Sequence, residues 1–540
     1  MLGRGWDIRR PNPASLMVAA TGKLRGMLQD VGRSPLPPRD ICERALDARD
    51  PRFDGIFFVG ITSTRVYCRP TCPARVAYTD RRRFFESAAS AERAGFRPCL
   101  RCRPELAPGW APMDAVPRLA RVAADRIGAG ALNGHSVAEL AHELGVSERH
   151  LRRALEREIG VSPLELAQTH RLLFAKRLLA DTSLSVTRIA FASGFQSLRR
   201  FNSVFRERYR LSPGALRRPE RRRGTRRTAR TLGAALSNER VALTLAYRPP
   251  LAWSPLIALL DRDALPGVEL IQGRRYARTV CLEGRSGVIV AEDAAWQGNG
   301  SGRVHKCHLN TWVSASLLPA LMPLLARLRR LFDLDAEPTV VDAHLEQGGL
   351  GHLVRRHPGI RIPGALDGFE AAFRVLLREE TTAGAVPNQI AMNVVRALGE
   401  PLDTGIPGLS HLAPSAARVA EAGAAWLTAS GVAVRRAAAI VAIARASADG
   451  TLRWQPGSDA AALRRTLREI AGIEDRLATM IVMRGLHWPD AFPAADPALQ
   501  HALGATSELG LHGLAETWRP WRGYAALHLW LYHERNGAHP

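Results

Sequence analysis

The clearest pattern along the chain is a pair of amphipathic helices that occurs twice. Ser136 is placed to cap a first helix, Gly145 interrupts it, and Ser147 is placed to cap a second helix. After Ser185 the same order of apolar and polar positions returns, again with a glycine at the turn. The segment PLELAQTHRLLFAKRLLAD between the two pairs predicts one long linking helix. This internal repeat predicts an all-α tandem helix-turn-helix domain over residues 115–216.

The second helix of each pair is rich in arginine. A helix that enters the major groove of DNA uses such side chains on phosphates and base edges. A plain αα-hairpin with solvated arginines is the alternative, and the presence of two copies weighs against it. The arginines expected to contact DNA are Arg149, Arg152, Arg153, Arg199 and Arg200.

The periodicity changes in the second half of the chain. From Val241, short strand-like runs alternate with one short helix, which predicts a small α+β domain over residues 237–312. From Ala315 the pattern is mostly helical, which predicts an all-α domain over residues 313–540. Because 540 residues exceed what one core holds, the chain is expected to be multidomain and mainly α.

The charge balance indicates what these domains bind. Lysine and arginine number 75 against 51 acidic residues, which gives a formal net charge of +24. Such a balance favours a polyanionic partner, with nucleic acid ahead of a membrane surface. The sequence holds no apolar run of the roughly 18 residues that a membrane span needs, so no membrane partner is expected.

Two basic segments lack the features of folded structure. Residues 1–38 have no apolar signal-peptide core and are expected to be a disordered leader or to reflect a start codon placed too early. Residues 217–236, which contain RRPERRRGTRRTAR, are expected to be a solvated linker. Without a secretion signal the protein is expected in the cytoplasm, where reducing conditions disfavour disulfides.

Four of the seven cysteines lie in one short, arginine-rich block. Their spacing, Cys68-x3-Cys72 and then Cys99-x2-Cys102, allows four sulfurs to surround one Zn²⁺. On spacing alone a structural zinc site is favoured. A reactive site is the alternative, because thiolates bound to zinc stay ionised and the thiolate is the nucleophilic form of cysteine.

The segments TRVYCRPTCPAR, FFESAASAERAGFRPC and RCRP resemble the zinc domain of the Ada-type methylphosphotriester repair family. The resemblance implies a small α+β zinc domain over residues 39–110, with zinc held by the four cysteines. It implies that Cys68 accepts a methyl group from a phosphotriester in alkylated DNA. It places Thr64, Arg75 and Arg97 where the family contacts DNA. Methylation would remove one negative charge, so DNA binding is expected to tighten.

The segment IAFASGFQSLRRFNSVFRERY is similar to the signature of AraC-type DNA-binding domains. This second resemblance implies that the tandem helix-turn-helix unit reads promoter DNA. RNA polymerase is then a further candidate partner.

A third resemblance covers the second half of the chain. YRPPLAW and ALPGVELIQGRRYARTV resemble the N-terminal domain of AlkA-type 3-methyladenine DNA glycosylases. HPGIRIPGALDGFEAAFRVLL, FPAADPALQHALG and AETWRPWRGYAALHLWLY resemble their helix-hairpin-helix glycosylase domain. The family flips an alkylated base into a pocket and breaks its N-glycosidic bond. The resemblance assigns Asp496 as the catalytic carboxylate and Trp518 as the aromatic that stacks on the base.

The residues themselves allow a simpler interpretation of both positions. Asp496 followed by Pro497 is an ordinary helix N-cap with proline at the first helical position. A tryptophan near the C-terminal helix is often a core residue.

Five positions depart from the AlkA pattern. In AGIEDRLATM, Glu474 replaces the second glycine of the hairpin, and Arg476 and Met480 replace pocket aromatics. Glu379 and Glu380 stand where the family inserts an apolar wedge into DNA. Because acidic groups repel phosphate, a catalytically degenerate glycosylase domain is the serious alternative.

The predicted function is a DNA alkylation-damage response. It combines methyl transfer to Cys68, transcriptional regulation, and excision of alkylated purines such as 3-methyladenine. Zn²⁺ is the expected cofactor, and the expected partners are double-stranded, alkylated and promoter DNA. One alternative is a regulator and methyl sensor with an inactive glycosylase domain. Another is a structural protein that binds DNA through charge alone.

Overall fold

The computed structural model describes residues 36–74, 78–108, 118–217, 240–294, 307–379, 387–455, 458–504 and 508–536. Two residues of the predicted sites, Arg75 and Glu380, lie outside these ranges. So do residues 1–35 of the predicted leader and residues 218–236 of the predicted linker.

The N-terminal unit is built on a four-stranded sheet of order β3-β1-β2-β4. Its elements are α1 (Arg39–Asp47), β1 (Phe58–Ile61), β2 (Val66–Cys68), β3 (Arg82–Phe85), α2 (Ala88–Arg93) and β4 (Arg97–Pro98). Strands β2 and β4 run parallel, with Tyr67 beside Pro98. Because β2 ends at Cys68 and Cys99 directly follows β4, the sheet brings the first cysteine of each pair to the same edge.

The next unit is all-α, as the repeat predicts. Its helices are α3 (Arg118–Gly128), α4 (Val137–Glu143), α5 (Glu148–Ile159), α6 (Pro163–Asp181), α7 (Val186–Ala192), α8 (Leu198–Tyr209) and α9 (Pro213–Leu216). The serine caps form as expected: Ser136, Ser147 and Ser185 accept hydrogen bonds from backbone N–H groups in the first turns of α4, α5 and α7. The long helix α6 joins the two helix-turn-helix pairs.

The second half of the chain opens with the predicted small α+β unit. Its elements are β5 (Arg240–Ala246), α10 (Trp253–Arg262), β6 (Glu269–Gln272), β7 (Arg275–Leu282), β8 (Arg285–Asp293) and β9 (His308–Ser314). The sheet has the order β5-β9-β8-β7-β6, and every neighbouring pair is antiparallel. The predicted domain boundaries stay predictions, and β9 continues to Ser314, past the boundary placed at 312.

The remainder is helical, and the mainly α, multidomain prediction is confirmed. The helices are α11 (Leu321–Leu331), α12 (Pro338–Leu345), α13 (Gly351–Arg356), α14 (Gly368–Arg378), α15 (Pro387–Leu398), α16 (Ala416–Ala429), α17 (Val434–Ala448), α18 (Ala460–Glu469), α19 (Asp475–Gly485), α20 (Pro497–Ala502), α21 (Glu508–Ala515) and α22 (Arg522–Asn536). None of the helices in the described ranges combines the length and the hydrophobicity that a membrane crossing needs.

Apolar packing and buried charge join these parts. Side chains of α6, α7 and α8 share one hydrophobic cluster with the second sheet and α11. Within the second half, Arg278 of β7 donates two hydrogen bonds to Glu370 of α14, at 2.9 and 2.8 Å. Arg374 pairs with both Glu370 and Glu269. All four side chains are buried, so their charges compensate one another away from water.

Candidate metal centre and catalytic carboxylate

The four clustered cysteines form one compact group. Their sulfur atoms lie within 4.8 Å of one another, and all four residues are buried. The backbone N–H groups of Arg69 and Arg101 approach Cys102 Sγ and Cys99 Sγ, each at 3.4 Å, and so stabilise negative charge on sulfur. Four mutually close sulfurs with N–H donors fit the tetrahedral thiolate site that Zn²⁺ prefers.

The thiols perturb one another's acidity. Hydrogen bonds from Cys102 and Cys68 lower the pKa of Cys72 to about 7. Hydrogen bonds from Cys102, Cys68 and Cys72 also lower the pKa of Cys99. Hydrogen bonds with Cys102, Cys72 and Cys99 in turn raise the pKa of Cys68, and the pKa of Cys102 is raised as well. The four thiols therefore share charge unequally, and a soft divalent cation is what would hold all of them as thiolates.

One of the arginines beside the cluster makes its contacts inside the protein. Arg69 pairs with Asp54 at 2.7 Å, and its Nη1 lies 3.2 Å from the Cys102 carbonyl oxygen. Of the predicted DNA contacts, Thr64 is exposed and Arg97 is half-buried. Thr64 lies in the turn before β2, at the opposite end of that strand from Cys68. Arg97 lies on β4, beside Val66.

The helix-turn-helix arginines lie on open surface. Helix α5 buries Leu151, Leu155 and Ile159, and helix α8 buries Phe201, Phe205 and Tyr209. The predicted DNA contacts Arg149, Arg152, Arg153, Arg199 and Arg200 are all exposed. Both helices therefore present a basic face, as a groove-binding helix requires.

Asp496 is both a helix cap and the centre of a hydrogen-bond network. Its Oδ1 accepts from the backbone N–H groups of Ala498 and Leu499 at 3.1 and 3.3 Å, at the start of α20. The same oxygen accepts from Trp530 Nε1 at 3.0 Å. Its Oδ2 lies 3.6 Å from Nη1 of Arg476. The predicted N-cap is thus confirmed. The three hydrogen bonds all go to Oδ1, so Oδ2 takes no part in the cap.

Trp518 belongs to the buried hydrophobic cluster that also contains Phe492. Its side chain is 1% exposed and packs on Phe492, and its Nε1 donates to the Gly348 carbonyl at 2.9 Å. This placement does not support the expected stacking on a base, because the ring is enclosed by core residues. The tryptophan that contacts Asp496 is Trp530 of α22, which sequence reasoning passed over. The available signal was that the indole N–H of a buried tryptophan needs a hydrogen-bond acceptor, and a nearby carboxylate can supply one.

Among the positions that depart from the AlkA pattern, the charged side chains that the structure describes are charge-compensated. Glu474 pairs with Arg435 at 3.0 Å and with Arg436 at 2.8 Å. Arg476 pairs with Glu379 through one terminal nitrogen and approaches Asp496 through the other. Met480 Sδ lies 3.6 Å from Arg476. The substitutions therefore form two local ion-pair groups, one of which includes the candidate catalytic residue.

The hairpin keeps its first glycine for a backbone reason. Gly472 has a φ of +96°, and a Cβ there would lie 2.7 Å from the Arg435 carbonyl oxygen. A side chain at this position would be strained in conformation and would clash with backbone.

Comparison with known families agrees with this architecture. Residues 41–105 match the metal binding domain of Ada, residues 140–219 a helix-turn-helix domain, and residues 242–367 the AlkA N-terminal domain. The predicted Ada and AlkA resemblances, the helix-turn-helix fold and the zinc cofactor are confirmed. Fold and sites together define a zinc-thiolate and helix-turn-helix protein fused to an AlkA-type glycosylase fold.

Similarity over nearly the whole chain identifies the family. It is 36% identical over 500 residues to the "Probable bifunctional transcriptional activator/DNA repair enzyme AlkA" of Mycobacterium tuberculosis, covering 91% of this chain and 95% of that one. The chain belongs to this family of bifunctional AlkA proteins.

Two Escherichia coli proteins resemble separate parts. "DNA-3-methyladenine glycosylase 2" is 32% identical over 288 residues, covering 53% of this chain and 96% of that protein. "Bifunctional transcriptional activator/DNA repair enzyme Ada" is 32% identical over 149 residues, covering 27% of this chain and 40% of that protein.

Proposed function

We propose that this protein detects and repairs alkylated DNA, through methyl transfer to Cys68 and base excision at Asp496, and that it regulates transcription. The gathered cysteine cluster, with Cys68 at the end of β2, carries the proposal. The relatives named for transcriptional activation and DNA repair support it. Cytoplasmic location and contact with RNA polymerase belong to the same proposal, since DNA is the substrate and the cluster needs reduced thiols.

Cys68 is the proposed methyl acceptor. Cys68, Cys72, Cys99 and Cys102 would hold zinc, which would keep the sulfurs ionised at neutral pH. The Cys68 sulfur forms a bond to the methyl carbon, the carbon–oxygen bond of the triester breaks, and its electron pair stays on the phosphate. The products are a phosphodiester and a thioether, which is a poor leaving group, so each molecule reacts once. Thr64, Arg75 and Arg97 are proposed to hold the DNA backbone.

Methyl transfer is proposed to change DNA affinity. It removes one negative charge from a cluster close to DNA phosphates, so binding becomes tighter. The exposed arginines of α5 and α8 then hold promoter DNA in two successive major-groove segments. Damage is thereby converted into promoter occupancy.

Base excision is proposed to depend on Asp496. The flipped base leaves with the electron pair of the glycosidic bond, and the carboxylate stabilises the positive charge that develops on the sugar. Water then bonds to the sugar carbon and releases a proton. Trp530 and the N-cap hydrogen bonds fix one carboxylate oxygen, which orients the other. Trp530, rather than Trp518, is therefore the proposed aromatic of this site.

The glycosylase proposal is tested with methylated DNA and full-length protein. Free 3-methyladenine released by the native protein but not by Asp496→Asn supports base excision. Cys68→Ala is the matched control, since it removes the methyl acceptor and leaves Asp496 intact. If the native protein releases neither 3-methyladenine nor a neutral damaged base faster than Asp496→Asn does, the regulator with an inactive glycosylase is favoured. It is a specific second candidate because the Arg476 cation lies 3.6 Å from Asp496.

The sensor proposal has a separate test. Zinc-loaded native protein is mixed with DNA that carries labelled methylphosphotriesters, and the labelled peptide is identified. Label on Cys68 in the native protein and none in Cys68→Ala is expected. Label distributed over other cysteines would contradict the assignment of Cys68.

A further inference from the structure

Arg476 occupies the space next to the open oxygen of Asp496. Because Oδ1 already accepts three hydrogen bonds, Oδ2 is the oxygen available to a sugar cation. Arg476 Nη1 faces that oxygen at 3.6 Å. Any base held at this carboxylate therefore lies near a permanent positive charge.

Glu379 fixes the position of that charge. It pairs with the second terminal nitrogen of Arg476, so the guanidinium bridges two carboxylates. The three residues come from different elements: Glu379 follows α14, Arg476 lies in α19, and Asp496 caps α20. The side chains of Arg476 and Glu379 are only 21% and 27% exposed, so water screens their charges incompletely.

This arrangement discriminates between two kinds of damaged base. Purines alkylated at N3 or N7 carry a positive charge before they leave, and the guanidinium beside Asp496 offsets the attraction that this carboxylate would otherwise exert on them. Neutral damaged bases, such as 1,N6-ethenoadenine and O2-alkylthymine, have ring nitrogens or carbonyl oxygens that accept hydrogen bonds from guanidinium N–H groups. The negative charge that such a base gains on leaving is stabilised by the same donors.

Resting on the proposed base-excision function, we infer that Arg476, held by Glu379, makes the site at Asp496 prefer neutral damaged bases over cationic alkylated purines. In the reaction, the glycosidic bond breaks and its electron pair goes to the base. Water then bonds to the sugar carbon, and its proton ends on the departing base. Arg476 donates hydrogen bonds to the base but keeps its own protons.

Two substitutions are expected to move the preference in opposite directions. Arg476→Gln removes the cation but keeps hydrogen-bond donors, so it should lower the ratio of neutral to cationic base release at least tenfold. Glu379→Gln leaves Arg476 without its compensating carboxylate, so it should raise the same ratio. A merely structural defect would slow release of both bases together.

Single-turnover release is measured for a duplex with one 1,N6-ethenoadenine and for methylated DNA that yields 3-methyladenine. The control is Arg468→Gln, which removes an exposed arginine paired with Asp475 on the neighbouring helix; its ratio should equal the native ratio. Zinc content and melting temperature verify that each variant is folded. Unchanged ratios, or ratios that move in the same direction, overturn the preference while base release by the native protein still supports the glycosylase. Failure of the native protein and both variants to release either base overturns the glycosylase proposal and the preference with it.

Discussion

The guanidinium of Arg103 donates to both carboxylate oxygens of Asp181, at 2.6 and 2.9 Å. Arg103 directly follows Cys102, and Asp181 is the last residue of α6. On the same helix, Lys176 Nζ lies 3.3 Å from the Cys99 carbonyl oxygen. The cysteine cluster is thus tied to the helix that connects the two helix-turn-helix pairs.

Asp181→Asn is expected to weaken the response of DNA binding to methylation. The change removes the carboxylate charge that Arg103 pairs with. A movement of the cysteine cluster on methylation should then displace α6 less. We expect the gain in duplex affinity after methyl transfer to fall roughly threefold to tenfold, in line with coupling energies of about 1 kcal/mol. Fluorescence anisotropy before and after transfer measures it. Asp40→Asn, at an exposed pair with Arg44, is the control, and an equal gain in both variants would argue against this path.

Glu92 is expected to make the stability of the N-terminal half depend on pH. Burial raises its pKa to about 7, although Arg208 Nη1 lies 3.4 Å from it and Tyr67 and Thr169 donate hydrogen bonds to it. Below the unfolded-state pKa of about 4.3, Glu92 is protonated in both the folded and the unfolded chain, and the fold has its full stability. As pH rises from there through the folded-state pKa of about 7, the unfolded chain ionises first, so the folded state loses stability. Glu92→Gln should therefore gain stability relative to the native protein by roughly 1–3 kcal/mol between about pH 5 and about pH 8. Hydrogen exchange in β2 and α6 reports this difference, and a constant difference across the range would contradict it.

Arg278 is expected to be essential for stable packing of the second sheet against α14. Arg278→Met leaves Glu370 and Glu269 buried with less compensation, so the C-terminal half should lose about 3–5 kcal/mol of stability. Adding Glu370→Leu removes one uncompensated charge and should restore part of the loss. Denaturant unfolding compares the three proteins. Equal stability of the single and double variants would show that the buried charges are not the cause.

Asp496 has two roles that a pair of substitutions separates. Asp496→Ser keeps a side-chain oxygen for the N-cap, whereas Asp496→Ala loses it and should cost about 1 kcal/mol of stability. Neither variant has a carboxylate, so both should release base at least a hundredfold more slowly than the native protein. Thermal melting and base release are measured on the same samples. Normal release by Asp496→Ser would show that the aspartate is only a cap.

Local signals in the sequence were sufficient for much of this structure. The serine caps, the glycine turns and the helical periodicity act within a few residues, so the tandem helix-turn-helix domain could be predicted without knowing the fold. The cysteine spacing was equally direct, because each close pair lies on one turn and zinc accepts few other arrangements. The net positive charge of the chain indicated a nucleic-acid partner, because net charge follows from composition and does not depend on the fold.

The site around Asp496 was only partly predictable. The sequence identified the aspartate and its capping role, because Asp-Pro is a local motif. It did not distinguish Trp530 from Trp518, since both lie in one apolar segment and only packing decides which indole reaches the carboxylate. It also presented Glu474, Arg476 and Glu379 as isolated departures.

By itself, then, the sequence determined the caps, the repeats, the cysteine cluster and the family, because these depend on short-range spacing. Tertiary structure alone decided which charges meet. Arg476 reaches Glu379 across 97 positions, and Lys176 reaches the Cys99 carbonyl across 77. Contacts at such separation depend on how whole elements pack, and a residue's type does not specify its partner until the fold has formed.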